Sequence, residues 1–261
     1  TISYGLYEEN GTLINNHIIN TKNNQLTKVF SISHYINENR KYLLLVLNDF
    51  KQSQFEVSGR SYFSYEFSMQ PNTTKAIPIN IEITDNTKEV DFVLIKNPDF
   101  LLKKDDIKLA SLLQEVICLR YSINQPIKKV KEIEYEDPLK IYVKGPNDNV
   151  FISNSIEQLK IVYEGISSES MYLHVGNISQ EPMDYALISF LDWKQVPLLD
   201  NMVSYVSVKP DTRKVFNLEL PSTNEEKNYQ ILAFPMPFRV SDDNFHSQMI
   251  YGTLRTIINN Q

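Results

Sequence analysis

The chain has 261 residues, of which 42% are hydrophobic and 11% aromatic, and its formal net charge is −6. That length exceeds an ordinary single domain and suits two of about 130 residues, while the apolar content is too high for a disordered chain. Neither half carries the basic excess that a phosphate backbone demands, which speaks against nucleic acid as a partner. The short run Lys128, Lys129, Lys131 is answered at once by Glu132, Glu134, Glu136 and Asp137.

From the N-terminus, the first strong element is YLLLVL from Tyr42, apolar on both faces, as a central strand covered on both sides should be. Its longest apolar run, Leu43 to Leu47, is far too short to span a bilayer, so no transmembrane segment is expected. The stretch SYFSYEFSM from Ser61 alternates, placing Phe63, Tyr65 and Phe67 on one face of a predicted strand. AIPINIEIT alternates as well, aligning Ile77, Ile79, Ile81 and Ile83. Its Pro78 lacks a backbone donor and so predicts a sheet edge or a strand start. In DDIKLASLLQEV, Asp105 and Asp106 are placed to cap a short helix whose apolar face is Ile107, Ala110 and Leu113. A closing strand follows near Val116–Ile123. It holds the single cysteine, Cys118, which excludes an internal disulfide and multi-cysteine metal sites and is expected to be a buried small hydrophobe. Residues 128–137 are charged and Pro-flanked, and are expected to form a linker or linking strand.

The second half then repeats the first. YLLLVLNDFKQ from Tyr42 and YALISFLDWKQ from Tyr185 share five identities in eleven positions, 143 residues apart. Further matches follow in order: QPNTT with KPDTR, NIEI with NLEL, FVLI with ILAF, Asp105-Asp106 with Asp242-Asp243, and LRYSIN with LRTIIN. Ordered matches at a nearly constant offset are the signature of an internal repeat. Strands recurring about every ten residues, with few helical stretches, predict a sandwich in each half. The expected fold is therefore all-β: two tandem, mutually homologous immunoglobulin-like β-sandwiches over residues 1–127 and 138–261. The core is expected to draw on Leu43, Leu45, Leu47, Ile79, Ile81, Val93, Leu187, Phe190, Leu218 and Leu232.

Signs of chemistry are few. His17, His34, His174 and His246 are scattered without metal-ligand spacing, and no nucleophile elbow, phosphate loop, dinucleotide fingerprint or calcium loop occurs. Neither catalytic residues, metal ligands nor a cofactor are therefore expected. The one specific feature is the doubled polar end of the repeated strand, with Asp49, Lys51 and Gln52 in the first copy and Asp192, Trp193, Lys194 and Gln195 in the second. Duplicated polar residues could be duplicated ligand contacts. The structural alternative is a strand-end fastener, an Asp tying down backbone donors beside an aromatic that closes the sandwich end.

The expectation is a non-enzymatic extracellular or cell-envelope protein that binds or spaces a protein or a cell-surface glycan. Trp193 and the Tyr62–Phe67 rings would supply stacking surfaces if it were a carbohydrate-binding module; a hydrolase is the third reading. A start at Thr1 without a methionine is what a chain trimmed of a leader would show. The Ile, Lys and Asn bias is that of an AT-rich coding sequence, as in low-GC Gram-positive bacteria. Composition and spacing carry no information on oligomeric state.

Overall fold

The computed structural model describes residues 1–102, 107–127, 133–143, 149–157 and 162–260. The basic run at 128–131 and the Asp105-Asp106 cap lie outside these. In the first half the strands are β1 (Ile2–Tyr7), β2 (Ile18–Ile19), β3 (Gln25–His34), β4 (Arg40–Asn48), β5 (Lys51–Ser53) and β6 (Phe55–Val57). They continue with β7 (Arg60–Tyr62), β8 (Ser64–Met69), β9 (Thr73–Glu82), β10 (Glu89–Lys96), helix α1 (Ile107–Gln114) and β11 (Ile117–Ile123). The second half has β12 (Lys140–Val143), β13 (Val150–Ser153), β14 (Glu164–Ile166), β15 (Ser170–Gly176), β16 (Met183–Leu191) and β17 (Lys194–Val196). After these come β18 (Ser204–Val208), β19 (Thr212–Glu219), β20 (Lys227–Pro235), the single-turn helix α2 (Phe245–Gln248), β21 (Tyr251–Gly252) and β22 (Thr256–Asn259). The fold is all-β, in several sheets.

Compactness divides the chain into two units that differ from a single cut near residue 130. One comprises Thr1–Pro98, Ile117–Val130 and Phe238–Gln248; the other comprises Asp99–Val116, Lys131–Pro237 and Met249–Gln261. Each unit thus includes one segment from the other half of the sequence.

The first unit has one sheet in the order β1-β3-β9-β6-β7 and another in the order β2-β11-β10-β4-β5, with β8 also on β4. Alternation sends Phe30, Ile32, Ile77, Ile79 and Ile81 of the first sheet against Leu44, Val46, Phe92 and Tyr121 of the second, in one buried cluster. The intervening residues of the second sheet, Leu43, Leu45, Leu47 and Val93, are buried too, on its outer face. Segment 238–248, of the same unit, reaches β10, β11 and the β4–β5 turn. Phe238 packs on Phe50 at 5.1 Å, and Ser122 Oγ donates to the Val240 carbonyl at 2.8 Å. YLLLVL is thus buried on both faces of its sheet, as its sequence predicts.

The second unit has sheets β12-β19-β15-β13 and β14-β22-β20-β16-β17, with β18 on β16 and β21 on β20. Leu173, Val175, Phe216 and Leu218 meet Leu187, Ile231, Ala233 and Ile258 in its core. The outer face of its larger sheet carries the buried Ile188, Phe190, Leu232 and Phe234. Segment 99–116 belongs to this unit and buries Leu102, Ala110 and Leu113. Gln114 Nε2 donates to the Gly252 carbonyl at 2.7 Å. A Cβ on Gly252 would lie 2.8 Å from the Gln114 carbonyl oxygen, so only glycine admits this approach. Every residue of the expected core is buried.

Two local expectations are corrected. SYFSYEFSM is not one strand: the chain breaks at Phe63, β7 joining one sheet and β8 the other, and Phe63 is left exposed. Pro78 is neither at a strand start nor on an edge strand but inside β9, opposite Val29. It is tolerated because β6, on the other side of β9, pairs only with Asn80 and Ile81.

Candidate functional site

The doubled motif forms the same turn twice. β4 and β5 pair from Asn48–Lys51, β16 and β17 from Leu191–Lys194, each hairpin leaving two residues at its tip. Those residues have positive φ: 48° at Asp49 and 65° at Phe50, 43° at Asp192 and 64° at Trp193. Two left-handed residues in succession define the type I′ turn, whose twist matches paired strands. Aspartate tolerates this region, whereas an aromatic there is strained and must be held. Phe50 is fully buried against Phe238, and Trp193 is buried beneath the Arg255 guanidinium, 4.7 Å from its ring.

Both aspartates fasten a neighbouring strand. Asp49 Oδ1 accepts from the Lys88 and Glu89 amides, each at 2.9 Å, and its own amide donates to the Glu89 carbonyl. Asp192 Oδ1 accepts from the Asn228 amide at 2.8 Å, and its amide donates to the Asn228 carbonyl. Burial raises both carboxyls above the ordinary value, with the amide bonds pulling the other way. Lys51 and Lys194 point to solvent. Gln52 Nε2 reaches the Phe63 carbonyl, and Gln195 Nε2 the Met202 carbonyl at 2.8 Å. Trp193 is therefore closed to a ligand, and Tyr62 and Tyr65 meet edge-to-face at 71° where a coplanar platform would be needed. Of the rings expected to stack on a carbohydrate, Trp193 is buried and Phe63 is exposed.

Next to the first turn lies a buried charge cluster that no sequence motif marks. Glu89, Asp91 and Arg120 are all fully buried on the outer face of their sheet. Arg120 Nη2 and Nε donate to Glu89 Oε1 at 2.7 and 2.9 Å, while Asp91 Oδ1 lies 3.6 Å from Nε. Glu89 Oε2 also accepts from the Phe238 amide at 2.6 Å. Two carboxylates face one guanidinium, and desolvation above all, then Glu89, pushes the Asp91 carboxyl well up while the Arg120 charge pulls it down. Cys118, beside them, is half-buried and not fully buried, and burial raises its thiol. At the corresponding places in the second unit stand Asn228, Gln230 and Arg255. Burial alone lowers Arg255 to about 10. The available signal was the LRYSIN–LRTIIN match, which pairs Arg120 with Arg255.

A third arrangement occupies the outer face of the sheet β12-β19-β15-β13. His174 stacks flat on Phe151, its cross-strand partner, at 4.5 Å and 6°. Arg213 lies 4.5 Å over the Tyr142 ring, and Lys140 Nζ lies 4.6 Å from the same ring. Burial above all, and then the Arg213 charge, lowers His174 to about 4, so the imidazole is neutral at physiological pH. Beside this cluster opens a cleft of about 410 Å³ lined by Lys140, Asn154, Ser155, Ile156, Glu157 and Tyr172. Ser155 Oγ accepts from the Glu157 amide at 3.3 Å, and among the described residues no side chain hydrogen-bonds the His174 ring. Among the described residues no three His, Cys, Asp or Glu side chains gather as a metal site, and no helix is long and apolar enough to cross a membrane.

No protein-family model matches the chain, and no curated protein matches it. Among solved structures, the C-terminal domain of the Streptococcus agalactiae AgI/II polypeptide BspA aligns over 99% of this chain and 100% of that one, with 8% identity and a TM-score of 0.28. Red sea bream transglutaminase aligns over 100% of this chain and 31% of that enzyme, with 6% identity and a TM-score of 0.26. CBD12 from CALX1.2 aligns over 93% and 83%, with 11% identity and a TM-score of 0.23. Likenesses this distant assign no function.

Proposed function

We propose that this is a non-enzymatic binding protein of the cell envelope or extracellular space, built from two homologous immunoglobulin-like sandwiches that arose by duplication. The duplication is supported by the shared strand order. In each half the doubled strand lies between a two-residue hairpin partner and a long strand, β10 or β20, which precedes a helix and the closing strand. The I′ turns and their Asp fasteners recur at the same point.

The observation that carries the binding reading is where the polar groups go. Glu89, Arg120 and the repeated aspartates hold backbone and one another. The cleft beside Tyr172 instead presents polar groups to an open space. Its amide, hydroxyl, ammonium and carboxylate groups around one half-exposed ring suit a hydroxyl-rich ligand, and we assign it to a glycan. The test is a glycan array on the intact chain, followed by titration calorimetry on Tyr172→Ala and Glu157→Gln. Binding should fall at least tenfold in both variants at unchanged melting temperature, and no bound glycan should be cleaved. Absence of glycan binding, or binding indifferent to both substitutions, would remove this reading; turnover would make the protein an enzyme.

A further inference from the structure

Strand β12 lies at one end of its sheet and pairs with β19 alone. Its place beside β19 is the place β6 takes beside β9 in the first unit, where β7 pairs on beyond β6. Among the described residues of the second unit no strand pairs beyond β12. An edge strand keeps every second residue's N–H and C=O unpaired, and such edges are ordinarily blunted by charge, Pro or a bulge. Here the opposite holds: Leu139, Ile141 and Val143 are 51%, 56% and 76% exposed, in a row on one side of the strand.

We infer that this edge pairs antiparallel with the same edge of a second copy of the chain, joining two four-stranded sheets into one of eight. The register follows from the side chains. A two-fold axis centred on Ile141 sets Ile141 against its own copy, Leu139 against Val143, and Lys140 against Tyr142. Apolar residues then face apolar ones, and each ammonium faces a ring of the kind that Lys140 already covers within its own strand. Centring on Lys140 would oppose two lysines, whereas the Ile141 register pairs every residue from Leu139 to Val143 without like charges. So short a pairing falls below the about 1,200 Å² of a stable interface, and the dimer is weak and concentration-dependent. Ile141 points away from the face that holds the glycan cleft, so this inference and the glycan reading fail separately.

Sedimentation velocity over the micromolar-to-millimolar range tests it, with Ile141→Lys as the disrupting variant and Leu112→Lys, an equally exposed position on α1, as the control. The wild type and Leu112→Lys should dimerise with rising concentration, and Ile141→Lys should stay monomeric at unchanged melting temperature. Directly opposed residues lie about 4.5–5.5 Å apart at Cα, within disulfide reach. Ile141→Cys should therefore cross-link to its own copy at least tenfold faster than Lys140→Cys under mild oxidation. A monomeric wild type at all concentrations, a dimer that survives Ile141→Lys, or equal cross-linking at the two positions would overturn the inference. The first of these results would leave the edge to a strand from another protein.

Discussion

His174 is an imidazole that has been made inert. It sits at full burial on a strand, flat against Phe151 and near the Arg213 charge, and both burial and that charge disfavour its protonated form. Its folded value of about 4 lies below the unfolded value near 6.5. As pH falls from 6.5 towards 4 the unfolded chain takes up the proton first, so stability is complete above 6.5 and is lost through that window. The full difference is about 3 kcal/mol, at roughly 1.4 kcal/mol for each pH unit. Asp49 and Asp192 work in the reverse sense, since their raised values make stability fall as pH climbs from the ordinary carboxylate value. Urea denaturation of the wild type and of His174→Gln at pH 7.5 and 4.5 cancels that background in the difference. The wild type should lose about 2–3 kcal/mol more than the variant between these two pH values; an equal loss would show that His174 ionises freely in the folded state. The buried Glu89–Arg120 pair illustrates the same economy of charge. It is satisfied by two guanidinium bonds and one amide, so breaking it from one side would leave a buried charge uncompensated.

At the scale of elements, the hairpin tips show how far the sequence could be read. The doubled stretch was legible because everything that shapes it is local: an apolar strand, an Asp that accepts left-handed φ, and a ring to close the end. What was not legible is what holds the ring. Phe50 and Trp193 sit in strained backbone only because Phe238 and Arg255 pin them, and these lie far along the chain. The same limit applies to SYFSYEFSM, whose alternation is real but cannot say that the chain changes sheets at Phe63. The cleft beside Tyr172 was invisible for a like reason, since its lining comes from three separate stretches. The fasteners themselves make a graded prediction. Asp49 holds two amides and Asp192 one. The Glu89 and Asn228 amides are part-buried and the Lys88 amide is exposed, so Asp49→Ala should destabilise by roughly 1–2 kcal/mol and Asp192→Ala by roughly 1. Chemical denaturation checks the order, and an Asp192 effect larger than the Asp49 effect would mean that these amide bonds do not set the cost.

For the whole molecule, the decisive feature is that neither unit is a continuous stretch of chain. The outer face of β4, β10 and β11 carries the buried Leu45, Leu47, Val93 and Glu89–Arg120 pair, and residues 238–248 belong to the same unit, the Phe238 amide donating to Glu89. Residues 99–116 belong to the unit of β16, β20 and β22, where Gln114 bonds Gly252 and Gln230. Nothing in an amphipathic pattern such as Ala110 and Leu113 tells which sheet it will cover, so a cut near residue 130 looked natural from the sequence. Such a cut gives a fragment 1–127 that carries residues 99–116 of the other unit and lacks residues 238–248 of its own. Large apolar side chains and a buried ion pair would then meet water on one face, losing about 25 cal/mol for each Å² of apolar surface uncovered. Fragments 1–127 and 138–261, expressed separately, should bind a hydrophobic dye and melt without cooperativity. The intact chain should unfold in one transition, because each unit includes a segment whose flanking residues belong to the other. Leu45→Ala, at a buried site on one such face, should lower the stability of that single transition by roughly 2–5 kcal/mol. Calorimetry of the intact variant distinguishes the outcomes: two separated transitions, with only one shifted, would show the units to be energetically independent despite the exchanged segments.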